Sequence, residues 1–213
     1  MTLRRHGAKG RMHRIGVLAL QGAFMEHVYV LRSLGVEAVE VRLPQELDDL
    51  DGLIIPGGES TTVGKLAVTY GLVEPIRVMA DAGKPVWGTC AGLIFLARTV
   101  EGLEQPLLGL MDLTVERNAF GRQVDSFEAN ILAPCLDAVS QPDQEGCPFH
   151  AIFIRAPLIM AVGEGVEVLA RLDGGGIVAA RQANLLVTAF HPELTTDTRF
   201  HRYFLTMVES GAD

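Results

Sequence analysis

The sequence predicts a three-layer α/β fold with a mostly parallel central sheet and a mixed or antiparallel extension in its second half. Three observations carry this expectation. Short, continuously apolar runs recur through the first half and read as strands covered on both faces. Segments with apolar residues at helical spacing alternate with them. Glycines stand where those helices should stop.

Taken in order, Ile15 to Leu20 is a buried strand that runs into Gln21-Gly22. A helix follows from Ala23 to Leu34, closed by Gly35. Glu37 to Arg42 is a second strand, and Asp51 to Ile55 is a third that leads into Pro56-Gly57-Gly58. Ser60 or Thr61 starts a helix toward Tyr70 that stops at Gly71, and Leu72 to Ala82 forms another that ends at Gly83. Lys84 to Trp87 is a strand feeding Gly88-Thr89-Cys90-Ala91-Gly92 and an apolar helix from Ala91 to Ala97. The second half reads as short strands: Leu110 to Val115, Ser126 to Leu132, Ala151 to Ile154, Val166 to Leu172, Gly176 to Arg181 and Asn184 to Ala189. A polar loop spans Ala133 to Pro148, and an amphipathic helix, Thr198 to Glu209, closes the chain. The expected organisation is a flexible basic tail, residues 1–13, and one domain over residues 14–213.

Composition narrows the functional classes. Lys and Arg total 18 against 26 Asp and Glu, a net charge of -8, which argues against a phosphate footprint and so against nucleic acid as partner. Cys90, Cys135 and Cys147 have neither the number of a disulfide framework nor the paired short spacing of a zinc knuckle, which suits a reducing, cytoplasmic setting. The basic opening stretch lacks the long apolar core of a secretory signal and reads as an exposed tail, or as a leader before a start at Met12. No apolar run is long enough to cross a bilayer.

Chemistry concentrates at three places. Gly88-Thr89-Cys90-Ala91-Gly92 has the Gly-x-nucleophile-x-Gly layout of a strand-to-helix elbow, whose tight turn excludes flanking side chains. A helix N-terminus there favours a thiolate; a small buried cysteine in a Gly-rich turn would look the same. His191 stands just past the apolar run Leu185 to Phe190, where open α/β sheets carry their reactive groups, and Glu193 is placed to accept its other ring N–H. The remaining histidines are less apt: His6 and His13 lie in the tail, His27 and His201 in helices with surface or partly buried roles, and His150 opens a strand. Pro56-Gly57-Gly58-Glu59-Ser60 can present backbone N–H groups to an oxyanion. It lacks the Gly-Lys-Ser/Thr of a phosphate loop and the glycine spacing of a dinucleotide loop.

Together the elbow, the Gly57-Gly58 loop and His191-Pro192-Glu193 resemble the class I (triad) glutamine amidotransferases, whose fold is flavodoxin-like. Leu18 to Ala23, Gly57 to Thr62, Val115 to Gln123 and Phe153 to Pro157 resemble, more narrowly, the glutaminase subunit of pyridoxal 5'-phosphate synthase. The likeness runs from Ile15 to the C-terminus. It implies Cys90 as nucleophile, His191 as base and Glu193 as the residue orienting the imidazole. It implies an oxyanion hole from Gly58 and Ala91, and glutamine binding by Gly58, Glu59, Ser60, Arg117, Ile154 and Arg155. An arginine suits the substrate α-carboxylate because its planar fork pairs both oxygens.

The same resemblance places Gln21 near the interface with a TIM-barrel synthase subunit, which receives the ammonia, and it requires no cofactor or metal. A chain of 213 residues without a second catalytic domain agrees with that division of labour. Three alternatives stand beside it: a glutaminase subunit of another synthase, such as one feeding imidazole glycerol phosphate synthesis; a cysteine hydrolase or peptidase with the same elbow; and a non-catalytic module that regulates a partner.

Overall fold

The computed structural model describes residues 12–102, 104–119 and 126–211. The expected tail therefore lies outside the described residues except for its last two, as does the Phe120 to Gln123 part of the Val115-to-Gln123 segment.

The first half follows the apolar periodicity closely. β1 (Arg14–Leu18), α1 (Phe24–Ser33), β2 (Glu37–Val41), β3 (Gly52–Ile55), α2 (Ser60–Thr69), α3 (Val73–Asp81), β4 (Val86–Thr89) and α4 (Ala91–Leu96) succeed one another. Gly35, Gly71 and Gly83 take positive φ just past α1, α2 and α3, the left-handed closure that glycine adopts without a Cβ penalty. α2 starts at Ser60, as expected. Its cap is Glu59, whose carboxylate accepts from the Thr61 and Thr62 amides.

The second half comprises β5 (Ala97–Val100), β6 (Met111–Glu116), β7 (Ser126–Ile131), β8 (Phe149–Ile154), β9 (Leu158–Val162), β10 (Glu167–Arg171), β11 (Ile177–Gln182), β12 (Leu185–Thr188) and the closing α5 (Arg199–Ser210). The sequence reading missed β5 and β9. The polar loop expected over Ala133 to Pro148 contains a 3₁₀ turn, Pro134–Val139, whose Leu136 is buried.

Among the described residues, ten strands form one sheet in the order β2-β1-β3-β4-β12-β11-β9-β6-β5, with β10 paired to β11, while β7 and β8 form a separate ribbon. From β2 to β12 every pairing is parallel. β12–β11, β11–β9 and β9–β6 are antiparallel, which is the mixed extension the short strands foretold. Right-handed crossovers from β1 to β2 and from β3 to β4 run in opposite directions along the sheet, so α1 and the α2–α3 pair cover opposite faces. Trp87 points to the α1 and α5 side, with its ring 5.6 Å from Phe204 and 5.7 Å from His27. Gly88 points to the other side, where a Cβ would run into the backbone of Gly92 in α4.

Two consequences position the site. The central strands β3, β4 and β12 are buried along their whole length, so the chain leaves the core only at their ends. Since β1, β3, β4 and β12 are parallel neighbours, the segments after them emerge side by side along one edge. Those segments hold Gln21, Gly57-Gly58, Cys90 and His191.

An aromatic cluster then docks the β7–β8 ribbon. Phe153 stacks on Phe127 at 4.5 Å, and Phe190 meets Phe153 at 5.5 Å and Phe149 at 5.7 Å. Truncating a fully buried ring of this kind costs about 3–5 kcal/mol. The His191 N–H donates to the Ile152 carbonyl at 2.8 Å, so the same contact brings the end of β8 beside the end of β12.

Candidate active site

Cys90 sits at the turn between β4 and α4 with φ 48° and ψ −100°, a conformation a side-chain-bearing residue adopts at a cost of about 1–3 kcal/mol. The surroundings impose it. The Cys90 N–H still donates to the Thr188 carbonyl at 2.8 Å, holding the strand pairing up to the elbow. Gly88 and Gly92 are required by space, since a Cβ at Gly92 would strike the Ile55 carbonyl oxygen. The turn leaves Ala91 at the first helical position, where an amide N–H has no intrahelical acceptor.

His191 reaches the sulfur from the end of β12. Its Nδ1 lies 2.7 Å from Glu193 Oε1, and both side chains are buried. Burial raises a carboxyl pKa, but the attraction of His27 and hydrogen bonds from His191 and His27 outweigh it and hold Glu193 ionised, well below the usual range. An ionised carboxylate only accepts, so His191 Nδ1 carries the proton and Nε2 is the nitrogen left for Cys90. Burial alone would lower the imidazole pKa. Hydrogen bonds to Cys90 and Glu193, with the charges of both, raise it instead to about 10. The imidazolium beside the sulfur is the favoured form.

The loop after β3 is fixed from three sides. The Gly57 N–H donates to Thr89 Oγ1 at 3.0 Å, the Gly57 carbonyl accepts from the Ala23 N–H at 3.0 Å, and the Glu59 N–H donates to Gln21 Oε1 at 2.6 Å. No side chain fits on it: a Cβ at Gly57 would strike the His191 ring, and one at Gly58 would strike Gln21 Oε1. With the Gly57 carbonyl tied to Ala23, the Gly58 N–H projects from the opposite edge of the same trans peptide. Gln21, expected near a partner interface, thus also holds this loop from within the chain.

These groups line a cleft of about 250 Å³ that also takes in Glu59, Ser60, Arg117, Ile154 and Arg155. Its size suits an amino-acid-sized ligand, since sites for larger molecules start at roughly 300 Å³. Arg117, just past β6, pairs with Glu59 Oε1 at 3.2 Å and reaches Thr61 Oγ1 at 3.3 Å and Gln105 Oε1 at 3.4 Å. Burial opposes ionisation of Glu59, but hydrogen bonds from Thr62 and Thr61 bring its pKa down to about 2. The Ile154 carbonyl is 3.8 Å from Cys90 Sγ, and Arg155 follows in the left-handed region at φ 43°. Every residue singled out from the sequence lies in or directly behind this cleft, Glu193 being behind His191.

Four residues escaped the sequence reading. Gln105 accepts from Ser60 and Thr61, and its own Nε2 is buried without a hydrogen-bond partner among the described residues. Thr89 supports Gly57. His27 and His201, expected on a surface or partly buried, are fully buried, with His27 against Glu193 and His201 against His27. A histidine one turn into an amphipathic helix gives no sign of this in sequence.

A pyridoxal 5'-phosphate synthase subunit PdxT from Herpetosiphon aurantiacus is 60% identical over 196 residues, covering 90% of this chain and 98% of that protein. A protein of the same description from Dehalococcoides mccartyi is 58% identical, covering 92% and 97% respectively. A crystal structure described as a glutamine amidotransferase superposes with a TM-score of 0.84 at 51% identity, covering 92% of this chain and 98% of that one. The model of the SNO glutamine amidotransferase family matches residues 17–210, which span β1 to the last turn of α5. With nearly all of its described length matched, and its elbow, histidine and glutamate brought together, the chain belongs to the SNO glutamine amidotransferase family.

Proposed function

We propose that this protein hydrolyses L-glutamine to L-glutamate and ammonia, and delivers the ammonia to a synthase subunit that makes pyridoxal 5'-phosphate. The observation that carries the chemistry is His191 held between Glu193 and Cys90 at the ends of adjacent parallel strands. The destination of the ammonia rests on the PdxT relatives.

The Cys90 thiolate attacks the side-chain carboxamide carbon of glutamine. The resulting oxyanion is received by the N–H groups of Gly58 and Ala91, fixed donors that need no reorganisation as charge develops. The His191 imidazolium gives its Nε2 proton to the departing nitrogen, so ammonia leaves and a glutamyl thioester remains. The now neutral imidazole takes a proton from water, the hydroxide adds to the thioester, and collapse releases glutamate and regenerates the thiolate–imidazolium pair. Glu193 keeps the ring in the required tautomer throughout.

Glu59, Ser60, Arg117, Ile154 and Arg155 bind the amino-acid portion of glutamine, with the two arginines as carboxylate partners. Ammonia released to bulk water would be protonated and lost as a nucleophile, which calls for a sealed route to a TIM-barrel partner docked near Gln21. Three free thiols suit a cytoplasmic setting, and no helix among the described residues is long and apolar enough to cross a membrane.

The test is ammonia and glutamate release with and without the synthase subunit, with C90A as control and free ammonium as rescue of pyridoxal phosphate formation. Cys90-dependent release stimulated by the synthase is expected. Absence of release under every condition would overturn the glutaminase reading, and equal release with and without the synthase would overturn partner-dependent assembly.

A further inference from the structure

Behind the triad lies a second buried histidine that the reaction as described does not use. His27, on α1, is fully buried, and its Nε2 stands 3.3 Å from Glu193 Oε2 and 3.3 Å from Thr89 Oγ1. Its Nδ1 lies 3.0 Å from His201 Nε2 on α5. Glu193 Oε2 makes no hydrogen bond of good geometry among the described residues, so the His27 contact is what compensates that oxygen in a site without water-like dielectric. The Thr89 hydroxyl in turn accepts the Gly57 N–H at 3.0 Å. One imidazole therefore touches both halves of the machinery: the carboxylate that orients His191, and the hydroxyl that anchors the oxyanion loop.

The proton placement follows from the acceptors. Glu193 is ionised and only accepts, so a favourable contact requires a proton on His27 Nε2. In the neutral form His27 Nδ1 is then an acceptor, and His201 must donate from Nε2. That leaves His201 Nδ1 as a bare lone pair, and this atom is indeed buried without a partner among the described residues. Burial depresses the His201 pKa well below its ordinary value, so His201 stays neutral. The groups facing His27 are thus Glu193 from the segment after β12, Trp87 and Thr89 from β4, and His201 from α5.

We propose that His27 is a positioning residue for the glutaminase reaction: its Nε2–H, set between Glu193 Oε2 and Thr89 Oγ1, steadies the carboxylate that keeps the His191 ring aligned on Cys90 while the Gly57 peptide stays anchored. This rests on the glutaminase reading of Cys90, His191 and Glu193. It assigns α1 a role in the chemistry besides covering one face of the sheet.

Three variants test it in the complex with the synthase subunit. H27L removes the donor. H27N keeps an amide near the Nδ1 position, facing His201 and out of reach of Glu193. H27Q places an amide N–H near the Nε2 position. Outer-shell partners of this kind typically carry about a 10–100-fold effect. H27L and H27N are expected to lower kcat for glutamine by that factor with KM nearly unchanged, and to move the alkaline limb of the pH profile downward, while ammonium-driven synthesis by the complex persists.

H27Q is expected to recover most of kcat. Equal kcat in H27Q and H27N would overturn the proposal whether or not H27L folds, because a packing role does not distinguish the two amide positions. A wild-type complex that shows no Cys90-dependent ammonia release would instead sink the underlying glutaminase reading.

Discussion

Replacing Glu193 with glutamine probes the electrostatic heart of the site with almost no change of shape. His191 is raised to about 10 against the opposition of burial, by Cys90 and Glu193 acting together. A displacement of that size corresponds to a preference for imidazolium over imidazole on the order of 5 kcal/mol. If the carboxylate supplies about half, E193Q forfeits roughly 2–3 kcal/mol of it.

The loss has a second component. A glutamine amide can donate to Nδ1 and so select the tautomer with its proton fixed on Nε2, which leaves that nitrogen no lone pair to take a proton from Cys90 or from water. Together these predict a fall in kcat of about 10²–10⁴-fold with a smaller change in KM, and an alkaline limb displaced toward the ordinary histidine range.

Stability gives an independent reading. A raised His191 pKa contributes stability that is complete below the unfolded value near 6.5 and is lost as pH rises through about 10. The depressed Glu193 pKa contributes stability present above the unfolded value near 4.5 and lost as pH falls toward its folded value. The pair therefore stabilises most between those two unfolded values, and urea titrations there should show the largest difference between wild type and E193Q. A kcat within threefold of wild type, with an unmoved alkaline limb, would refute this reasoning.

Two further substitutions test the geometry. C90G should unfold at a higher temperature than C90A by the equivalent of about 1 kcal/mol, because glycine adopts the positive φ of the elbow without strain and alanine does not; the reverse order, read by calorimetry, would mean that the elbow is not strained. R117A should raise KM for glutamine by about 10–100-fold, the scale of a lost charge-assisted hydrogen bond, and leave ammonium-driven synthesis by the complex intact; an unchanged KM would assign Arg117 to its Glu59 contact alone.

Much of this architecture was legible in the sequence because the responsible signals are local. β1, β3, β4 and β12 are apolar runs bounded by glycine, polar residues or proline, and the three chemical motifs sit immediately after them. What failed was non-local. β5 follows α4 with no break, since Ala97 continues the apolar run of the helix and only tertiary pairing with β6 extends the chain there. β9 reads Leu158 to Val162 without alternation and is partly exposed, so neither the period of a half-buried strand nor full burial marks it. His27 and His201 are 174 positions apart, and nothing in either helix foretells that they meet behind Glu193. Gln105 lies in a loop and gains its role only through Ser60, Thr61 and Arg117.

The central claim is that Cys90 forms the acyl bond to glutamine. It is tested most directly by treating the protein, in complex with the synthase subunit, with a glutamine-analogue electrophile and mapping the modified peptide by mass spectrometry. The account predicts one adduct, on Cys90, blocked by excess glutamine and lost in H191N. Modification of the exposed Cys147 or the half-buried Cys135 in preference to Cys90, or labelling indifferent to glutamine, would contradict it.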